Sequence, residues 1–216
     1  MTDCLDYINS MPHGIVSILG SGKTFKSGTL YTLLDSCPGL KSRPIAFYRF
    51  PNSTALFPYK NQYNIDDFDE VEPDSVCVIE DANRIFPSRS SSRYADIQEW
   101  MGIISHKDIL LMLTLQNTSN VDLAFFRDQD VVMIHKKMHD VAVSNEREEF
   151  QLQCQMANIL IDECSAAYKQ PPHYISYVPK FNRLLLLDHP PVWYGYDQSH
   201  ALRNYKIKKE KKEVLS

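Results

Sequence analysis

The sequence predicts an α/β fold in which helices flank a mostly parallel central sheet, with a small C-terminal α+β addition. The first observation is an apolar run at residues 15–19, which leads into a loop of glycines, hydroxyls and lysines and then into a segment with helical leucine spacing. The second is a pair of uninterrupted apolar runs at residues 76–79 and 109–115. Such runs are typical of parallel strands that are buried on both faces.

Further strands and helices follow from the spacing of apolar residues. Residues 43–50 and 130–135 have strand patterns, and residues 59–63 are interpreted as a loop. Helical spacing predicts helices at residues 94–105 and 146–169.

The C-terminal third carries shorter elements. Residues 173–178 and 183–188 predict a hairpin, and a short helix is expected near residues 197–205. We expect residues 1–138 to form the core, beginning with a short lead-in, and residues 139–205 to form an extension packed on it. The charged residues 206–216 are expected to be a disordered tail.

The composition is that of an ordinary globular protein. The chain has 216 residues, of which 44% are hydrophobic and 23% charged, and its formal net charge is −4. No overall basic field indicates nucleic acid, so any such contact requires a local patch. Five cysteines without Cys-x-x-Cys spacing argue against zinc and a disulfide framework. No apolar run approaches the ~18 residues of a membrane span, and the N-terminus does not have the pattern of a secretory signal, so we expect a cytoplasmic location.

The loop after the first apolar run has the composition of a phosphate-binding loop. Such loops follow the pattern Gly, four residues, Gly-Lys-Thr/Ser, and they hold phosphate with backbone N–H groups and a helix N-terminus. In one frame the pattern ends in Gly22-Lys23-Thr24, but Ser17 replaces the first glycine. This frame shortens the first strand to about residues 14–17.

In the second frame the pattern begins at Gly20 and ends in Phe25-Lys26-Ser27, so phenylalanine replaces the glycine beside the lysine. Because a side chain at that glycine is expected to clash with the phosphate, we favour the first frame. A turn without a ligand is the alternative to both frames. The candidate nucleotide contacts across the two frames are Gly20, Ser21, Gly22, Lys23, Thr24, Lys26 and Ser27.

Two adjacent carboxylates, Glu80 and Asp81, end the apolar run at residues 76–79. Ligands bind at this edge of open α/β sheets. We expect Glu80 and Thr24 to hold Mg²⁺ and Asp81 to orient the attacking water. The usual order is Asp then Glu, so the order here is reversed. Acidic residues that merely end a strand are the alternative interpretation.

Polar residues beyond the carboxylates extend the predicted site. Gln116 ends the run at residues 109–115 and is expected either to sense the γ-phosphate or simply to end a strand. Basic residues could contact ATP in a neighbouring subunit, contact DNA, or remain solvated. These candidates for an arginine finger or a DNA contact are Arg84, Arg89, Arg93 and Arg127.

Together these motifs resemble the HerA–FtsK superfamily of P-loop ATPases, and more closely its small viral and archaeal members of the genome-packaging type. The resemblance covers about residues 14–137 in order. Its most specific part is the His106-Lys107 pair, followed by a strand that ends in Gln116 and a turn that contains Val121-Asp122.

The resemblance implies a RecA-like core that hydrolyses ATP with Mg²⁺ between the subunits of a ring, usually a hexamer, and that moves double-stranded DNA. It implies that Gln116 is the γ-phosphate sensor, that capsid or virion proteins are partners, and that the protein acts in the host cytoplasm or the virion. The sequence departs from the family pattern at three places. These are Ser17, the reversed carboxylates, and Ser105, where relatives often carry arginine.

Three alternative functions stay open. One is an ATPase that assembles or extrudes filamentous virions, although its members usually carry a membrane segment. Another is a nucleotide-binding interaction protein that does not hydrolyse, which the irregular loop and reversed carboxylates would suit. The third is a small-molecule kinase, which would need an arginine-rich lid that is not obvious after Lys137.

Overall fold

The described part of the chain contains eight strands, and α-helices lie between several of them. The computed structural model describes residues 4–51, 56–86, 94–121, 124–127, 131–187 and 189–204. The strands are β1 (Gly14–Leu19), β2 (Ile45–Tyr48), β3 (Gln62–Ile65), β4 (Val76–Ile79), β5 (Leu110–Leu115), β6 (Val131–His135), β7 (Ile175–Val178) and β8 (Arg183–Leu186).

Nine α-helices are present in these described ranges. They are α1 (Cys4–Ser10), α2 (Lys26–Ser36), α3 (Pro38–Lys41), α4 (Ala82–Ile85), α5 (Tyr94–His106), α6 (Ala124–Arg127), α7 (Asp140–Ser144), α8 (Glu148–Tyr168) and α9 (Tyr196–Ser199). Short 3₁₀ segments occur at Phe68–Glu70, Pro172–Tyr174, Pro179–Phe181 and Ala201–Asn204. In the described part of the chain, no helix is long and apolar enough to cross a membrane.

All eight strands belong to one sheet with the order β3-β2-β4-β5-β1-β6-β7-β8. The first six pair in parallel, and β7 and β8 add an antiparallel hairpin at one edge. The predicted α/β class, mostly parallel sheet and C-terminal hairpin are confirmed. The predicted tail at residues 206–216 lies outside the described residues.

Apolar side chains of the central strands face two separate core clusters. Along β1, Val16 and Ile18 pack in the cluster that contains Leu30 and Leu33 of α2. Ile15 and Leu19 point to the opposite cluster. Because β1, β4 and β5 are buried at every position, their apolar runs are continuous rather than alternating.

Two elements differ from the sequence-based expectation. The predicted lead-in contains α1, whose buried Cys4 and Ile8 pack in the core. The segment interpreted as a loop continues into β3, which pairs in parallel with β2 at the edge of the sheet. Its sequence, Gln-Tyr-Asn-Ile, lacks an apolar run because only Ile65 of the strand is buried.

Arg43 holds together the ends of the central strands opposite the loop after β1. Its side chain is only 8% exposed, and it forms an ion pair of 3.2 Å with Asp74. Its guanidinium also donates to backbone carbonyls that precede β1, β4 and β5, namely those of Met11, Pro12, Asp74, Ser75 and Asp108.

We predict that Arg43→Met lowers the free energy of unfolding by about 3 kcal/mol, because it leaves several buried carbonyls without donors. Urea denaturation would measure the change. The control is Lys41→Met, which removes an exposed ion pair with Asp35 and is expected to cost at most about 1 kcal/mol. Equal effects of the two substitutions would contradict the role of Arg43.

Candidate functional site

The predicted functional segments meet at the carboxyl edge of the sheet. Strand β5 lies between β1 and β4, so the loop after β1, the Glu80-Asp81 pair after β4 and Gln116 after β5 are neighbours. In open parallel sheets this edge is where ligands bind.

The boundaries of β1 and α2 favour the second frame of the loop. Strand β1 continues to Leu19 rather than ending near Ser17, and α2 begins at Lys26. Gly20 is therefore the first residue after the strand, and Lys26 is the first residue of the helix. A Cβ atom on Gly20 would lie 2.6 Å from the Cβ of Lys136, so a glycine is required there. This geometry argues against the first frame, which the sequence alone favoured.

The two lysines have different environments. Lys26 is 9% exposed, and its Nζ donates to the backbone carbonyl of Ser21 at 2.8 Å. Burial lowers the pKa of Lys26, whereas the charges of Asp81 and Glu80 act in the opposite direction. Lys23 is exposed and has φ of 63°. Lys26 is therefore the lysine whose ammonium group points into the loop.

Phe25 adopts the backbone conformation that a glycine would take. Its φ and ψ are 65° and 33°, in the left-handed region. Its ring packs against the rings of His173, Tyr174 and Tyr194, with centroid distances of 6.1, 5.4 and 5.8 Å. The expected clash with the phosphate loop does not arise, because the side chain lies against the C-terminal part of the chain.

Ser27 and Glu80 connect the loop to the end of β4. The hydroxyl of Ser27 donates to Oε2 of Glu80 at 2.7 Å, and the hydroxyl of Tyr31 donates to Oε1 at 2.5 Å. Burial raises the pKa of Glu80, whereas the hydrogen bonds from Tyr31 and Ser27 act to lower it. The hydroxyl of Thr24 donates instead to the carbonyl of Ser21. The loop hydroxyl next to Glu80 is therefore that of Ser27 and not that of Thr24, which makes Ser27 the candidate partner of Glu80.

These oxygen atoms fit a magnesium ion that is held jointly with a ligand. A hydroxyl and a carboxylate are hard donors, and Mg²⁺ is commonly bound by one or two carboxylates together with substrate phosphates. In the described residues, no group of three or more His, Cys, Asp and Glu side chains could hold a metal by itself. Ser27 and Glu80 would thus need phosphate oxygens to complete a site.

Asp81 and Gln116 lie together beyond this pair. The Nε2 of Gln116 donates to Oδ1 of Asp81 at 3.5 Å. The backbone of Asp81 has φ of 53°, and its N–H donates to Oγ1 of Thr114 at 2.9 Å. The backbone N–H of Gln116 donates to Oδ1 of Asn83. The carboxylate and the amide are therefore positioned by neighbouring strand ends.

Two of the four candidate arginines lie in described helices. Arg84 lies in α4, the helix that follows Asp81, and its side chain is partly buried. Arg127 ends α6. Arg89 and Arg93 lie outside the described residues.

A cleft of about 790 Å³ lies between the loop after β1 and the C-terminal part of the chain. This volume is suited to a small ligand. One wall is formed by the loop after β1, with Glu80, Asp81, Thr114 and Gln116. The other wall comes from the C-terminal part of the chain and comprises His173, Pro190, Tyr194, Gly195, Gln198, Ser199, His200, Ala201 and Leu202.

Sequence reasoning missed the tyrosines that surround Ser27 and Glu80. Tyr31 lies four residues after Ser27, so the two share one face of α2, and this spacing could have revealed it. Tyr194 lines the same cleft as Ser27 and Glu80, and burial, followed by the charge of Glu80, raises the pKa of its hydroxyl. No local pattern connects Tyr194 with a loop that is so distant in the sequence.

We predict that Gly28→Ala destabilises the protein by about 2 kcal/mol, because the added Cβ would lie 2.2 Å from the ring of Phe25. Urea denaturation would measure the loss. In a Phe25→Ala background the same change is expected to be neutral or to stabilise the protein by up to about 1 kcal/mol, since alanine favours a helix over glycine. An equal loss in both backgrounds would contradict the contact.

Comparison with solved structures identifies proteins of the same fold. B204, the DNA-packaging ATPase from Sulfolobus turreted icosahedral virus, has a TM-score of 0.54 and 13% identity, and the match covers 84% of this chain and 99% of that chain. The genome packaging NTPase B204 from Sulfolobus turreted icosahedral virus 2 was solved with ATP-gammaS; the TM-score is 0.51, the identity 15%, and the coverage 83% and 98%. Its complex with AMPPCP gives 0.50 and 15%, with coverage of 83% and 99%.

The sequence matches no protein-family model, and no curated protein matches it significantly. At 13–15% identity, the similarity to B204 is a similarity of fold. B204 is a DNA-packaging ATPase, so the resemblance predicted from the motifs is confirmed at the level of the fold. The chain has the P-loop NTPase fold of these viral packaging enzymes.

Proposed function

We propose that this chain is an ATPase that couples hydrolysis to the packaging or translocation of double-stranded DNA. The observation that carries the proposal is the arrangement of Lys26, Ser27 and Glu80 at the carboxyl edge of the sheet. The fold, which is shared with packaging NTPases solved with ATP analogues, supports the choice of ligand.

The loop after β1 would bind the phosphates of ATP. Helix α2 begins at Lys26, and backbone N–H groups at a helix N-terminus attract anions. The ammonium group of Lys26 now donates to a neutral carbonyl. A phosphate oxygen would give it a charge-assisted hydrogen bond, which is stronger.

Ser27 and Glu80 would hold Mg²⁺ together with the phosphates. When bound, the ion would neutralise charge that develops on the transferred phosphoryl group. Asp81 would orient and deprotonate the attacking water, and the amide of Gln116, which donates to Asp81, would report the γ-phosphate. Positioning and electrostatic stabilisation supply most of the catalysis in this reaction class.

We also propose a ring of identical subunits, usually a hexamer in the family that the sequence resembles. Arg84, Arg89, Arg93 and Arg127 are the candidates for a trans-acting arginine or for DNA contacts. Capsid or virion proteins would be the assembly partners, in the host cytoplasm or the virion. The net charge of −4 requires that DNA is contacted through a local basic patch.

A second candidate function is nucleotide binding without hydrolysis, as in an assembly protein. The reversed order of Glu80 and Asp81 favours it, because the shorter carboxylate stands where the longer one usually orients water. Measured hydrolysis separates the two functions.

We predict that Lys26→Ala lowers kcat/KM for ATP at least about 100-fold, because it removes a cation from the phosphates. Lys23→Ala, the matched control in the same loop, is expected to change kcat/KM by less than about threefold. A steady-state phosphate-release assay would measure both. Loss in Lys23→Ala with activity retained in Lys26→Ala would restore the first frame and contradict this assignment.

We predict that Asp81→Asn lowers kcat about 100-fold with little change in the affinity for ATP, because a group that orients or deprotonates water acts mainly in the transition state. Single-turnover kinetics and binding of a fluorescent ATP analogue would separate the two effects. Asp162→Asn, at an exposed aspartate of α8, is the control. A parallel loss of affinity and rate would place Asp81 in binding instead.

Addition of double-stranded DNA tests the coupling. A motor is expected to hydrolyse ATP faster when DNA is present, and Lys26→Ala should abolish the stimulated rate. ATP hydrolysis that DNA leaves unchanged would contradict translocation, and ATP binding without hydrolysis would favour the second candidate.

A further inference from the structure

Both oxygens of the Glu80 carboxylate receive hydrogen bonds from α2. Ser27 donates to Oε2 at 2.7 Å, and Tyr31 donates to Oε1 at 2.5 Å. Ser27 and Tyr31 are four residues apart, so they project from one face of the helix. Glu80 is 8% exposed, and these two donors determine the orientation of its carboxylate.

The position of the Tyr31 hydroxyl is set by packing. Tyr31 is fully buried, and its ring stacks on Phe57 at a centroid distance of 4.7 Å. The rings of Trp193 and Tyr194 lie 5.7 and 5.6 Å away. A donor whose ring is packed on several sides cannot follow a moving acceptor, so it holds the acceptor in one place.

The length of Glu80 explains why a second donor is needed. Glutamate has one more rotatable bond than the aspartate that usually occupies this place, and an unrestrained side chain would lose more rotamer freedom on binding a cation. With the Ser27 hydrogen bond alone, the carboxylate could still turn about the Ser27–Oε2 contact and change the position of Oε1. The Tyr31 hydroxyl removes this freedom before any ligand binds.

We propose that Tyr31 is a positioning residue that orients Glu80 toward a divalent cation beside Ser27. The inference rests on the proposed nucleotide-binding function and adds to it a residue that no motif predicts. Partners that orient a ligating carboxylate typically contribute 10–100-fold to metal affinity.

The test is the affinity for Mn²⁺, a paramagnetic substitute for Mg²⁺, in the presence of β,γ-methylene ATP. Electron paramagnetic resonance of free Mn²⁺ gives the dissociation constant for full-length wild-type protein and variants. Tyr31→Phe keeps the packed ring and removes only the hydroxyl, so Mn²⁺ binding should weaken about tenfold.

Tyr59→Phe is the matched control. Tyr59 is a buried tyrosine of the same aromatic cluster, 5.6 Å from the ring of Trp193. Its hydroxyl has no hydrogen-bond partner in the described part of the chain. The substitution therefore makes the same chemical change without touching Glu80, and Mn²⁺ affinity should stay within about twofold of wild type.

A second measurement separates orientation of Glu80 from general damage to the loop. Binding of a fluorescent ATP analogue in EDTA should be the same in wild type and Tyr31→Phe, because Lys26 and the loop are unchanged. Unaltered Mn²⁺ affinity in Tyr31→Phe, equal weakening in Tyr59→Phe, or an equal loss of metal-free nucleotide binding would each overturn the inference. If the wild-type protein binds no nucleotide, the proposed function is overturned together with this inference. That result is distinguishable from the three outcomes above, in which the wild-type protein still binds nucleotide.

Discussion

The hydrogen bond between Ser27 and Glu80 is the interaction on which the rest of the site depends. It joins the first turn of α2 to the end of β4, in a structure where the helix begins at Lys26 and β1 continues to Leu19. The same boundaries put Lys26 inside the loop. The start of α2 thus links Lys26, proposed to bind phosphate, with Ser27 and Glu80, proposed to bind the metal, at the end of the sheet.

Phenylalanine at the glycine position of the loop makes this arrangement depend on the C-terminal part of the chain. A left-handed conformation costs a bulky residue about 1–2 kcal/mol, and aromatic pairs contribute about 0.5–1.5 kcal/mol each. The contacts of Phe25 with Tyr174 and Tyr194 can therefore offset the strain. Because Tyr194 also lines the cleft, the segment that supports the loop is part of the site.

Sequence patterns predicted the central sheet, because β1, β4 and β5 are buried on both faces and are therefore continuously apolar. The same patterns brought Glu80, Asp81 and Gln116 to one edge. The argument for the first frame treated the Phe25 side chain as if it pointed into the loop, and the structure places that side chain elsewhere. Its direction is set by rings more than 140 residues away in the sequence, which no local pattern contains. β3 was missed for a related reason, since an edge strand with polar residues has no apolar run.

Crystallography of the protein with β,γ-methylene ATP and Mn²⁺ would test the central claim most directly, because the anomalous signal of manganese locates the ion without reference to the protein density. We predict a single manganese peak next to the Ser27 hydroxyl and the Glu80 carboxylate, with the terminal phosphate within reach of Lys26. A peak beside Thr24, with Lys23 on the phosphate, would contradict the account.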